Sequence, residues 1–304
     1  MSSSNAVRIA YRVAGSGDPF KVLRYTSEAF TATPATTESG EVRVDRMIAD
    51  LYLTSLESSG SIDFELSAQN FDDLMEAVMC STFDGTTGEM KVGTNDNTFE
   101  ILKSYTDTTP AKHVLINDVK VSTMTLNINA GELVTGTFEF VGGNVDVEFD
   151  PSGETFTAPA NTSLLNAAND IGAINVNGAE LTGTCIESLT VTIDNNYQAQ
   201  NCIGSLAAKT HVKNTASVSG SETLSFSAEA YDLWKGQISN ADITLDFTVT
   251  DGTNTYKFDL PRVRISGDLP GGTRDEILTL DAEYTAILDE TLETSFMITR
   301  TPAA

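Results

Sequence analysis

The sequence predicts a mainly β protein of the α+β kind, built as two tandem domains. Each domain is expected to hold packed antiparallel sheets flanked by one short helix. Three observations point there. Short runs alternate apolar and polar residues with period two, turn residues punctuate them, and one phrase of the chain is written twice.

The elements follow in order. Arg43 to Thr54 mixes apolar Val44, Met47, Ile48, Leu51 and Leu53 with Asp45, Arg46 and Asp50, and lies between two expected strands. It reads either as a projecting contact arm or as an ordinary buried hairpin. Ile62-Asp63-Phe64-Glu65-Leu66 alternates strictly, as a strand with one dry face does. Ser67 is then a candidate N-cap for a helix carrying Phe71, Leu74, Met75 and Val78. His113 falls at the start of a strand, and Val145-Asp146-Val147-Glu148-Phe149 alternates as another. Pro151-Ser152-Gly153 marks the boundary, giving domains at 1–152 and 153–304. Beyond it, Ser227 caps a second helix with Tyr231, Trp234 and Ile238 on one face, which suits core packing. Ile243-Thr244-Leu245-Asp246-Phe247 is a strand, and Thr250 to Asn254 a hairpin turn.

The repeated phrase carries the domain argument. At an offset of 160, Ser59, Gly60, Ser61, Ser67, Ala68 and Asp72 recur as Ser219, Gly220, Ser221, Ser227, Ala228 and Asp232. Phe64 and Leu66 become Leu224 and Phe226, so strand parity is kept. At an offset of 144, Val119-Lys120-Val121-Ser122 becomes Val263-Arg264-Ile265-Ser266, and Glu139-Phe140 becomes Glu283-Tyr284. The change of offset means that the second copy lacks 16 residues after its helix.

Charge and motifs narrow the function. The net charge of −25, from 43 acids against 18 bases, argues against nucleic-acid binding, which rests on Lys and Arg. No apolar run reaches the length of a spanning helix, and the N-terminus lacks a signal-peptide core, so no membrane is expected and assembly in a cytoplasm is. Cys80, Cys185 and Cys202 form no metal or redox motif and read as buried reduced thiols. His113 and His211 have no ligand partners at metal spacing. No phosphate loop, dinucleotide loop or nucleophile elbow occurs. No enzyme, metal or cofactor is therefore expected. The acids Asp63, Glu65, Asp146, Glu148, Asp242, Asp246, Asp281 and Glu283 lie on wet strand faces and form a negative wall.

The segment Glu41 to Met79 resembles the major tail tube protein of long-tailed bacteriophages. The resemblance rests on Thr26 to Glu28, Asp45-Arg46, the strand Gly60 to Leu66, and Phe71-Asp72-Asp73-Leu74-Met75. Phe258 to Ile265, Gly271 to Glu276 and Tyr284 to Asp289 are similar too. The resemblance implies packed sheets flanked by a helix, in rings that stack into a hollow tail of the siphophage type. It implies a virion protein assembled in the host bacterial cytoplasm. Its partners would be copies of itself, a tape-measure protein, and tail terminator and distal tail proteins, with DNA passing unbound. Six-fold rings then give the duplication a meaning: three chains supply six sectors, with a ring of six chains as the alternative. Arg43 to Leu53 becomes a candidate contact arm between subunits or rings, and the acids a candidate lumen face. A carbohydrate-binding or adhesion module of two β-rich domains stands as the other reading, with Trp234 as the one tryptophan available to it.

Overall fold

The computed structural model describes residues 3–272 and 274–302; Thr273, inside the Gly271 to Glu276 motif, lies outside the described residues. In chain order the first part contains β1 (Val7–Val13), β2 (Phe20–Val22), β3 (Ser27–Glu28), β4 (Thr31–Glu38), β5 (Leu51–Glu65), α1 (Asp72–Val78), β6 (Glu89–Lys91), β7 (Phe99–Tyr105), β8 (Lys112–Asn129), β9 (Thr135–Gly142) and β10 (Val145–Asp146). There follow β11 (Phe156–Thr157), β12 (Asn175–Val176), β13 (Ala179–Glu180), β14 (Ile186–Asp194), β15 (Gln198–Gln200), β16 (Thr210–Val212) and β17 (Ser217–Ser225). The last part holds α2 (Ala228–Ile238), β18 (Ile243–Thr250), β19 (Thr255–Gly267), β20 (Thr279–Ala286) and β21 (Met297–Thr301).

Strand order repeats along the chain. β5 pairs with β9 and β9 with β8, while β17 pairs with β20 and β20 with β19, all antiparallel. β3 and β4 flank β5 as β14 flanks β17. β7 pairs with the first part of β8, as β18 does with β19. Twenty residues separate α1 from β7 and four separate α2 from β18, which places the 16-residue difference in this connection. The two sets then meet. β8 pairs with β14, with Met124 opposite Ile193, Leu126 opposite Val191 and Ile128 opposite Leu189. One sheet thus runs β4-β5-β9-β8-β14-β17-β20-β19.

The repeated glycine has a physical cause. A Cβ on Gly60 would overlap the ring of Phe30, which packs 5.3 Å from Phe140. A Cβ on Gly220 would overlap the Tyr284 ring and the Thr190 carbonyl, to which the Tyr284 hydroxyl donates at 2.5 Å. An aromatic ring lies over a bare strand in both places, and any side chain there is overpacked. Gly220→Val is expected to lower unfolding stability by about 3 kcal/mol, read from the urea midpoint; an unchanged midpoint would show that the ring tolerates a Cβ.

The core differs between the halves. Phe64 lies 4.4 Å from Phe71 and 4.8 Å from Phe138, all three buried, each contributing about 2–3 kcal/mol. α1 buries Leu74, Met75, Ala77 and Val78, whereas α2 buries only Ala230. Ser227 caps α2, accepting from the Ala230 N–H at 3.1 Å. Ser67 does not cap α1. Its hydroxyl instead accepts from Asn70 at 2.9 Å, and the helix begins at Asp72, because residues 67–70 turn first to reach Leu164 and Tyr256. Trp234 is half-buried and packs against the cluster of Leu224, Ala230, Leu280 and Ala282, whereas Tyr231 and Ile238, which the spacing put on the same face, are exposed. Val145–Phe149 is strand only at Val145–Asp146, since Asp146 accepts from the Glu148 N–H at 2.9 Å and turns the chain away. Of the cysteines only Cys80 is buried; Cys185, just before β14, is exposed, and Cys202 is half-buried.

Other contacts interlock the halves. β21 pairs with β6, with Ile298 opposite Met90. Asp72, in the first turn of α1, accepts from Tyr256 Oη at 2.6 Å and Arg300 Nη1 at 2.5 Å. Asp73 accepts from Tyr11 Oη at 3.0 Å and from Lys21. The Phe-Asp-Asp-Leu-Met run therefore places two carboxylates at a helix N-terminus, where the dipole favours them and cations converge. Past Gly153 the chain stays against the strands that precede it: β11 lies parallel to β2, and Leu165 and Leu66 join through the backbone.

Candidate assembly surfaces

A single polar face spans the long sheet. Parity turns Ile62, Phe64, Phe138, Met124, Val191 and Leu224 inward. The same parity turns Thr, Ser, Asn, Asp and Glu outward. Across the strands, Asp63 aligns with Thr137, Thr125, Thr192, Ser219 and Thr285. The next row aligns Glu65 with Thr135, Asn127, Thr190, Ser221 and Glu283. Asp281 lies opposite Thr223, whose hydroxyl donates to it at 2.9 Å. Asp63 accepts from Thr137 at 2.7 Å and from Ser27.

Of the eight acids expected on wet strand faces, this face gathers Asp63, Glu65, Asp281 and Glu283. Glu57, Glu139 and Asp194 join them, by strand parity that the sequence already carried but that needed the pairings to read. The other four lie elsewhere. Asp146 and Glu148 sit at an exposed turn. Asp242 precedes β18 and is held by Arg262 at 2.7 Å and Arg264 at 2.9 Å, which lowers its pKa. Asp246 accepts from Asn175 at 3.0 Å and neighbours Lys257 at 3.6 Å. Arg264, one of these two arginines, lies at the far edge of the polar face.

The Arg43–Leu53 segment is the tip of a projecting hairpin. β4 is exposed along its whole length, and Val42, Val44, Met47, Ile48, Leu51, Tyr52 and Leu53 are all exposed. Leu51 and Leu53 belong to strand β5, opposite Glu38 and Thr36, so only residues 39–50 form the connection between strands. Arg43 pairs with Asp45 at 2.7 Å, Asp45 also receives the Met47 N–H at 3.2 Å, and Arg46 adopts a positive φ of 63°, closing the tip. Asp50 caps its own side of the turn through the Leu51 N–H at 2.7 Å.

The corresponding connection in the second half folds back. β15 and β16 form a small hairpin laid across the first half. Leu206 O accepts from the Leu56 N–H at 2.8 Å, and His211 O accepts from Lys120 Nζ at 2.9 Å. Lys213 donates to the carbonyls of Thr94 and Asn95. His211 is buried there, and burial beside Lys120 lowers its pKa. His113 pairs with Ser104 at 3.0 Å. Both histidines serve the fold.

Glu222 occupies the place of Ile62 in the repeat, with 3% of its surface exposed. Burial pushes its pKa up to about 7. A carboxyl whose folded pKa exceeds its unfolded value stabilises most while protonated in both states, below about pH 4.5. That stability declines as the pH rises through about 7, by about 3 kcal/mol in all. Glu222→Gln is expected to flatten this dependence and to raise the urea midpoint at about pH 8; a variant that keeps the wild-type slope would place the titration elsewhere.

No helix among the described residues is long and apolar enough to cross a membrane. No curated protein matches the chain. Residues 4–286 match a family model described as phage tail tube protein.

Proposed function

Since this chain belongs to the phage tail tube protein family, we propose that three copies close a ring of six sectors and that rings stack into the tube with the polar sheet face lining the lumen. The family is structural and not enzymatic, and it makes the chain a component of the virion tail that self-assembles into a tube. The division into units at 1–152 and 153–304 is part of this reading.

The seam between β8 and β14 carries it. There β8, the last sheet strand of one half, meets β14, the first sheet strand of the other. The strands at the opposite edge of the sheet, β3 and β4, pair only with β5 among the described strands. The last sheet strand of the second half, β19, has no strand opposite β20 along Arg264–Gly267 among the described residues. Joining these two edges between chains repeats the internal seam, and three such joints close six sectors. The arm fits the same relation. Its second-half counterpart lies across a neighbouring half, so the β4–β5 hairpin reaches a neighbouring chain and buries its apolar tip in the assembled tube.

The polar face suits a conduit. Its carboxylates repel phosphate, its hydroxyl side chains are neutral, and Arg264 at its far edge is paired with Asp242. DNA passes without specific binding. A tape-measure protein fills the lumen during growth, and terminator and distal tail proteins cap the ends, as in a siphophage-type tail assembled in the host cytoplasm. Electron microscopy with native mass on the same sample tests the reading. Stacked rings of three chains with six lobes are expected; rings of six chains would give the second half another role.

A further inference from the structure

We infer that Gln237 is a stand-in strand that covers the ring-closing edge of β19 until the β3–β4 edge of another chain displaces it. The inference rests on the three-chain ring and names the contact that delays its closure.

Gln237 Nε2 donates to Gly267 O at 2.9 Å, and Gly267 N donates to Gln237 Oε1 at 3.0 Å. One side-chain amide thus makes both bonds that a residue of a neighbouring antiparallel strand makes through its N–H and C=O. In an antiparallel ladder the N–H and C=O of one residue point to the same side. Those of Gly267 therefore point to the edge without a strand, where β19 stops.

The first half shows what belongs there. Gly267 lies opposite Ala282, and Met124 lies opposite Phe138, the residue that the repeat equates with Ala282. Met124 carries Ile193 of β14 on its other side. Ile193 faces Val218 as Ala32 faces Ser58, so the repeat assigns Ala32 of another chain to Gly267. The helices differ in the matching way. Gln237 corresponds to Ala77 in α1, where a strand of the same chain already occupies the edge. Next to them, Val78 is fully buried and Asn195 Nδ2 donates to its carbonyl at 2.8 Å, whereas its counterpart Ile238 is 71% exposed. The second half has every part of the seam except the incoming strand, and Gln237 fills that place.

An unpaired edge is a template for indiscriminate pairing. The amide satisfies it in the free chain and is released for a partner of the right register. The test uses the full chain and Gln237→Leu, which removes both bonds and keeps a helix-favouring residue. Light scattering should show a lag to tube formation shortened by about tenfold, the factor carried by one or two net hydrogen bonds. Amide exchange should show Gly267 unprotected in the free variant and protected in its rings. A folded variant that forms three-chain rings at the wild-type rate overturns the lock, as does Gly267 exchanging freely within such rings. Absence of three-chain rings from both proteins overturns the ring reading and the lock with it.

Discussion

Replacing Gly40–Ala49 by an Asn-Gly turn is expected to abolish tube formation while leaving the chain folded. Ser39 N already donates to Asp50 O at 2.9 Å, so a two-residue turn closes the hairpin at that pair. The removed segment contributes little to the free chain. Val42, Val44, Met47 and Ile48 are exposed, and the Arg43–Asp45 pair lies in solvent. A thermal midpoint within about 2 °C of wild type is expected, as for surface changes that remove no buried contact. The cost is expected to fall on assembly, where the proposed ring gives these exposed apolar side chains cover in a neighbouring copy. Electron microscopy of the variant decides it: tubes of wild-type length would assign the arm no part in the tube.

The second large effect is on DNA delivery. Glu65→Lys, Glu139→Lys and Glu283→Lys together replace three negative charges on the polar face by three positive ones. These carboxylates lie on the outward side of β5, β9 and β20, away from the core, so the chain still folds and assembles. Phage carrying the triple variant is expected to lose infectivity by at least about tenfold, with recovery as salt screens the lysines. Wild-type infectivity at low salt would mean that this face does not line the path of the DNA.

Much of this was legible in the residues, and the limits have physical causes. Parity within a strand is local, so the burial of Ile62, Phe64 and Leu66 followed from alternation. The doubled Ser-Gly-Ser was visible too, although the reason, a ring lying over bare backbone, needed Phe30 and Tyr284 in place. Ser227 capped as read, whereas Ser67 lost its helix to a turn held by distant partners. Pairing between strands far apart in sequence is not encoded locally. The seam from Met124 to Ile193 was therefore hidden, and with it the place of Asp194 on the polar face. Asp242 looked like one more wet acid until Arg262 and Arg264 closed on it. Glu222 sits in a dry position that alternation assigns to an apolar side chain, so its burial was written in the pattern and masked by its charge.

The pairing of β6 with β21 sets a timetable for synthesis. Met90 emerges from the ribosome more than two hundred residues before Ile298, its partner. Asp72 likewise waits for Tyr256 and Arg300. Contacts of such long sequence separation form late, since the loop between them must be closed first. The nascent chain accordingly carries its first half unfinished until the strand around Ile298 has been made. A chain cut short before β21 leaves β6 without its partner strand, an open edge that a folding quality check or a protease can read.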